Sequence, residues 1–146
     1  MSVSVGAVPG TRPPVTVGPV REEVLGVAAL PSAVPVACCF ARALLGSWEV
    51  GDACRWACQQ VLSELVGDAL PGIEARGSAM MVVRLRLCAA RLVVEVRDDG
   101  AAVPNHAAVL DEGGRGPMLA ESLASGWGSY MLAAGNVVWA AWNIAV

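Results

Sequence analysis

The chain is expected to fold as an α+β two-layer sandwich, a mostly antiparallel sheet with helices on one face. Three observations predict it. Val83, Leu85 and Leu87 alternate with Arg84, Arg86 and Cys88, the period of two that marks a strand with one buried face and one mostly solvated face. Two segments of helical apolar period, about Ser32 to Leu45 and Gly51 to Leu70, precede that run. Two further strand-like runs, Gly128 to Leu132 and Asn136 to Trp142, close the chain.

The elements follow in order. Residues 1–22 read as a flexible lead, because Met1 to Pro19 is built from Val, Gly, Pro, Ser and Thr with only Arg12 charged. Residues 23–146 read as one domain. A first strand spans about Val24 to Leu30. Ser32 is placed to cap the first helix, and Pro35 falls in its first turn, where the missing N–H is harmless. Gly51-Asp52 opens the second helix, and Pro71-Gly72 is expected to stop it at Leu70. Strands Met80 to Ala89 and Leu92 to Arg97 are joined by a tight turn at Ala90-Arg91. The loop from Asp99 to Gly113, about fifteen residues, is longer than a compact domain tolerates unless it has a task. A helix from Gly114 to about Ala124 follows, then the two closing strands with a turn at Ala134-Gly135.

Composition narrows the function classes. The 146 residues suit one domain, and 55% hydrophobic content excludes a disordered chain. A formal net charge of −3 argues against a general nucleic-acid binder. All ten cationic residues are arginine, which together with the many Ala, Val and Gly reads as GC-rich coding rather than function. Val24 to Ala41 has no charged residue and reaches the lower length of a membrane span, yet Pro31 and Pro35 break it, so no membrane segment is expected. The first residues lack a basic stretch followed by an apolar core, so the expected address is the cytoplasm. The five cysteines, Cys38, Cys39, Cys54, Cys58 and Cys88, sit in helix or strand interiors. Cys54 and Cys58 lie one turn apart in register with Val50, Ala57, Val61 and Leu65, as small buried hydrophobes do, and no metal is assigned to them.

Three stretches carry chemistry. Asp111-Glu112-Gly113-Gly114-Arg115-Gly116 runs directly into an amphipathic helix, where glycines admit an anion to the backbone and the first helical N–H groups face it. Glu64 and Asp68 are four residues apart, on one helix edge, a spacing that also describes an acidic edge facing solvent. In Glu95 to Gly100 a strand ends in an acidic-glycine turn, a common turn in its own right.

From about Leu30 to Trp142 the order of elements and three motifs resemble the small bacterial serine kinases that act as anti-sigma factors. These belong to the ATPase superfamily shared by histidine kinases, gyrase and the heat-shock chaperones, with a Bergerat nucleotide fold. The matching pieces are Ser63-Glu64-Leu65-Val66-Gly67-Asp68-Ala69, Val94-Glu95-Val96-Arg97-Asp98-Asp99-Gly100 and Gly113-Gly114-Arg115-Gly116, with Gly126-Trp127-Gly128 and Val138-Trp139-Ala140 closing the domain. The resemblance implies a histidine-kinase-like ATPase fold that binds ATP with Mg2+. In that reading Glu64 orients or deprotonates the attacking hydroxyl, and Asp68 stands where the family has an Asn that helps hold magnesium. Asp98 would recognise the adenine amine, with Gly100 leaving room for the ring. Gly114, Arg115 and Gly116 would form the phosphate turn, and residues 101–113 a lid containing His106, read as a solvated loop residue. The implied partners are a sigma factor, an anti-sigma-factor antagonist phosphorylated on a serine, and a second copy of the chain. The homodimer expectation rests on the apolar row Phe40, Ala41, Leu44, Leu45 and Trp48 along the first helix.

The sequence departs from the pattern at Asp68, at Ala102 where a second glycine is sometimes found, at Pro117 where Leu is usual, and at Leu70-Pro71-Gly72, which lacks a basic or His residue. A carboxylate can ligate magnesium but adds charge beside a triphosphate. The alternative is therefore a degenerate, non-catalytic member that acts as a protein-binding clamp.

Overall fold

A computed structural model describes residues 12–14, 18–75, 80–98, 117–132 and 135–144. Strand β1 (Arg21–Ala28) leads into helices α1 (Ala33–Ser47) and α2 (Asp52–Ala75). Strands β2 (Met80–Cys88) and β3 (Arg91–Asp98) follow, then the short helix α3 (Met118–Leu123) and strands β4 (Gly126–Leu132) and β5 (Gly135–Asn143). The five strands form one sheet in the order β1-β2-β3-β5-β4, and every neighbouring pair is antiparallel. The architecture is α+β in two layers.

The core lies between the helices and one sheet face. Ala33, Ala37, Ala41 and Leu45 recur every fourth residue on α1, all fully buried, and the small alanines let α1 approach closely. Cys58, Val61, Leu62, Leu65 and Val66 form the matching stripe of α2. From the sheet, Met81, Val83, Leu85, Leu92, Val94 and Val96 point inward, at the alternation expected of strands. Phe40, Leu44 and Trp48 are half-buried against this core rather than forming an open patch. Among the described residues no helix is long and apolar enough to cross a membrane.

Several expected boundaries are corrected. β1 starts at Arg21 and ends at Ala28, three residues upstream of the expected start, because its partner strand β2 pairs Arg21 with Leu87 and Ala28 with Met80. Ser32 does not cap α1 with its side chain; its backbone is already helical, and Ala33 and Val34 donate to Leu30 and Pro31 in a tight lead-in turn. The β2–β3 turn falls at Ala89-Ala90, one residue earlier than expected. Most informatively, α2 passes through Pro71 and ends at Ala75 instead of stopping at Leu70. Proline inside a helix costs about 3 kcal/mol. Ile73, 1% exposed, lies beyond it, and burying such a side chain returns about 1.5–3 kcal/mol. Tertiary docking therefore offsets the local break.

The C-terminus of α1 has a Schellman geometry. Val50 N–H donates to Leu45 C=O and Glu49 N–H to Gly46 C=O, with Val50 and Leu45 both buried against each other's turn. The left-handed position in this motif belongs by preference to glycine, yet Glu49 holds it at φ 60°. A left-handed non-glycine residue is strained by about 1–2 kcal/mol, while a new glycine costs about 0.4–1 kcal/mol through the unfolded chain. Glu49→Gly should therefore raise stability by about 0.5–1 kcal/mol, read as a higher urea midpoint at unchanged slope. A lower midpoint would contradict this account.

The sheet face away from the helices departs from the mostly solvated face expected. Direct strand partners put Arg84, Glu95, Trp139 and Gly128 in one row across it. Glu95 is 5% exposed and Trp139 4%, and Val93 and Ala141 are closed off beside them. Arg86 Nη2 donates to Glu95 Oε1 at 2.7 Å, and Arg84 bridges Glu95 at 3.8 Å and Glu22 at 3.4 Å. The guanidinium of Arg12 lies 4.6 Å from the centre of the Tyr130 ring, a cation–π contact over the same face.

Candidate functional site

Glu64 and Asp68 both lie on α2, one helical turn apart, and the structure places them on one edge of it. Glu64 is half-buried and Asp68 more exposed. The Asp68 carboxyl is raised above its ordinary value, first by partial burial and then by the neighbouring Glu64 carboxylate. The residue as a whole is still open to water, which moderates both effects.

Glu64 reaches across to α3. Its Oε1 accepts the backbone N–H of Leu119 at 2.8 Å and of Ala120 at 3.1 Å. These are the second and third positions of the helix, the N–H groups an N-cap side chain ordinarily satisfies. The residue at the cap position is Pro117, at φ −58° and ψ 119°, and it has no polar side chain to do so. Glu64 supplies the missing cap from another element, as a charge-assisted acceptor at the positive end of α3. The other end of α3 is also held from outside: the Trp142 indole N–H donates to Leu123 C=O at 2.8 Å. A helix of six residues is too short to persist alone, and these two anchors fix its place.

Asp98 ends β3, opposite Met81. Gly100, Gly114, Arg115 and Gly116, with Ala102, His106 and the rest of residues 101–113, lie outside the described residues. The structure thus joins Glu64 to Asp68 and to the helix that follows the glycine-rich stretch in the sequence. The contact from Glu64 to α3 was not foreseen, although Pro117 at a helix start is a signal that the cap must come from elsewhere.

Cys58 and Cys88 are buried, Cys38 and Cys54 are half-buried, and Cys39 is exposed, so the expected small buried role holds for only part of the set. All five are free thiols, and burial pushes the Cys58 thiol strongly up, so it stays protonated and unreactive. Among the described residues no cluster of three or more His, Cys, Asp or Glu side chains is disposed to hold a metal ion.

Comparison with models of known protein families and with curated proteins returns no match.

Removing the Glu64 cap leaves two N–H groups without their acceptor. Glu64→Ala should lower stability by about 1–2 kcal/mol and speed amide exchange at Leu119 and Ala120, with Glu64→Gln intermediate because it keeps an acceptor oxygen. Unchanged exchange at both amides would show that the carboxylate does not cap α3.

Proposed function

We propose that the protein is an ATP-binding regulatory domain of the anti-sigma-factor serine-kinase type. In this reading it phosphorylates a serine of an antagonist protein and sequesters a sigma factor. One observation supports the reading above the others. Glu64 on α2 meets the start of α3, so an acidic helix edge and the segment that follows a glycine-rich turn share one surface although far apart in sequence. Phosphoryl transfer needs little covalent chemistry from the protein; it needs groups positioned around the phosphates.

The donor set suits magnesium, a hard cation that prefers carboxylate oxygen. Asp68 is the residue that would hold it, and its raised pKa marks a carboxylate whose charge is poorly compensated by the protein alone. When bound, magnesium offsets charge between Asp68 and the phosphates. Glu64, next along the same edge, would orient the attacking hydroxyl and accept its proton.

The alternative, a non-catalytic protein-binding clamp, also has a specific support. Glu64 Oε1 is already engaged by two backbone N–H groups, so a base role must compete with a cap role.

Calorimetric titration with ATP, with and without magnesium, separates the two using Asp68→Asn. Two unit charges about 4 Å apart are worth about 4 kcal/mol at an effective dielectric of 20, before the metal screens them. The wild type should bind only with magnesium, and Asp68→Asn should bind at least about tenfold tighter with weaker magnesium dependence. If neither chain binds ATP at millimolar concentration, the nucleotide reading fails and the clamp reading stands. The same variant carries a pH signature. Because the folded chain holds the Asp68 proton more tightly than the unfolded chain does, this group's stabilisation is present below the ordinary value of 3.8 and is lost as pH rises through the raised folded value. Asp68→Asn should gain on the wild type in urea midpoint as pH climbs through that window.

A further inference from the structure

At the Cys88 end of the sheet, remote from Asp98, a cavity of about 500 Å³ opens between the α1–α2 junction, the start of β1, the β2–β3 turn and Ile144. It is separate from the acidic edge of α2, since Glu64 lies about 20 Å along the helix from Gly51 at the cavity wall. Trp48, Val50, Leu87 and Ile144 give it an apolar lining. Its volume falls in the range of small-molecule clefts, about 300–1,000 Å³.

Two charged residues of opposite sign also line it, Arg21 and Glu49. Both are exposed, and neither has an ion pair or hydrogen bond to another described side chain. Glu49 occupies the left-handed position that closes the Schellman motif of α1, and that motif sets it at the cavity wall. A ligand with a single charge would satisfy one of the two groups and be repelled by the other. A ligand with both charges satisfies both.

We infer that this cavity binds a short apolar peptide with free amino and carboxyl ends, its ammonium at Glu49, its carboxylate at Arg21 and its side chains on the Trp48, Leu87 and Ile144 lining. The charged ends select the ligand, and the apolar lining supplies the burial that holds it.

The test is titration of the full chain with the dipeptide L-leucyl-L-phenylalanine, followed by calorimetry and by tryptophan fluorescence. Saturable binding at millimolar concentration or below is expected. It should weaken at least tenfold for the N-acetylated dipeptide, for the dipeptide amide, and for the variants Glu49→Gln and Arg21→Gln. Both variants alter exposed side chains, and far-UV circular dichroism confirms that they fold. Ala89→Trp, which fills the cavity from its wall, should abolish binding, while Asp68→Asn should leave it unchanged, keeping this site distinct from the proposed nucleotide site. The inference is overturned by an absence of saturable binding to the wild type. It is equally overturned if the capped dipeptides bind as tightly as the free one, or if the two charge variants bind like the wild type.

Discussion

Glu95→Ala should destabilise the fold by about 3 kcal/mol, the largest effect expected of any single substitution described for this chain. The carboxylate is 7% exposed at its side chain and faces Arg86 at 2.7 Å and Arg84 at 3.8 Å. Truncation leaves two guanidinium groups turned toward an emptied, closed-off site, and removing one partner of a buried pair costs about 3–5 kcal/mol. The lower end applies because the arginine side chains are 20% and 34% exposed and can recover some hydration. Glu95→Gln keeps an acceptor for Arg86 and should cost less. That conservative variant has a second readout. Tyr130, the single tyrosine, has its pKa raised by burial first and by Glu95 second, against the opposing pull of Arg12, Arg84 and Arg86. Its ultraviolet titration midpoint should therefore fall in Glu95→Gln. A midpoint that stays put, with stability little changed in Glu95→Ala, would mean that the charge cluster is not held as the structure has it.

The second large effect belongs to Gly128→Ala. A Cβ at this position would lie 2.8 Å from Cζ2 and Nε1 of Trp139 and 2.9 Å from Cε2. The indole is 4% exposed and packed with Val93 and Ala141, so it is not the loose end of a flexible side chain that could step aside. Overpacking of this sort costs about 1–3 kcal/mol, and near-UV circular dichroism should report the displaced ring. Gly126 is the internal control. Its nearest atoms, also of Trp139, would be 4.0 Å away, an ordinary contact. Gly126→Ala should be close to neutral, with any gain coming from the stiffer unfolded chain. Equal losses at both glycines would point to the backbone rather than the indole as the cause.

What could be read in advance was what depends on near neighbours in the chain. The alternation of Val83, Arg84, Leu85 and Arg86 located β2 and its buried side because strand period is a local property. The four-residue spacing of Glu64 and Asp68 put them on one edge of α2 for the same reason. The burial of Glu95 was not legible: inside the apolar run from Leu92 to Val96 it becomes acceptable only when antiparallel register sets it against Arg84. The passage of α2 through Pro71 depends on the docking of Ile73, and the task of Glu64 depends on a helix more than fifty residues further along. Pairings of that kind are decided by the assembled chain.

The sheet order has a consequence in time as well as in space. β2 and β3 are joined by a two-residue turn and can pair almost as soon as they are made, whereas β1 meets β2 only after the chain has laid down both long helices. β1 is also an edge strand with most of its side chains exposed, so little apolar burial holds it in place. We predict that β1 opens before the central strands, which faster amide exchange in Arg21–Ala28 than in β2 or β3 would show and equal exchange would refute. Such an opening leaves β2 as the edge of the sheet, with the backbone groups that paired with β1 free to catch another strand. Exposure to edge-to-edge aggregation would then follow the reclosing of that one strand.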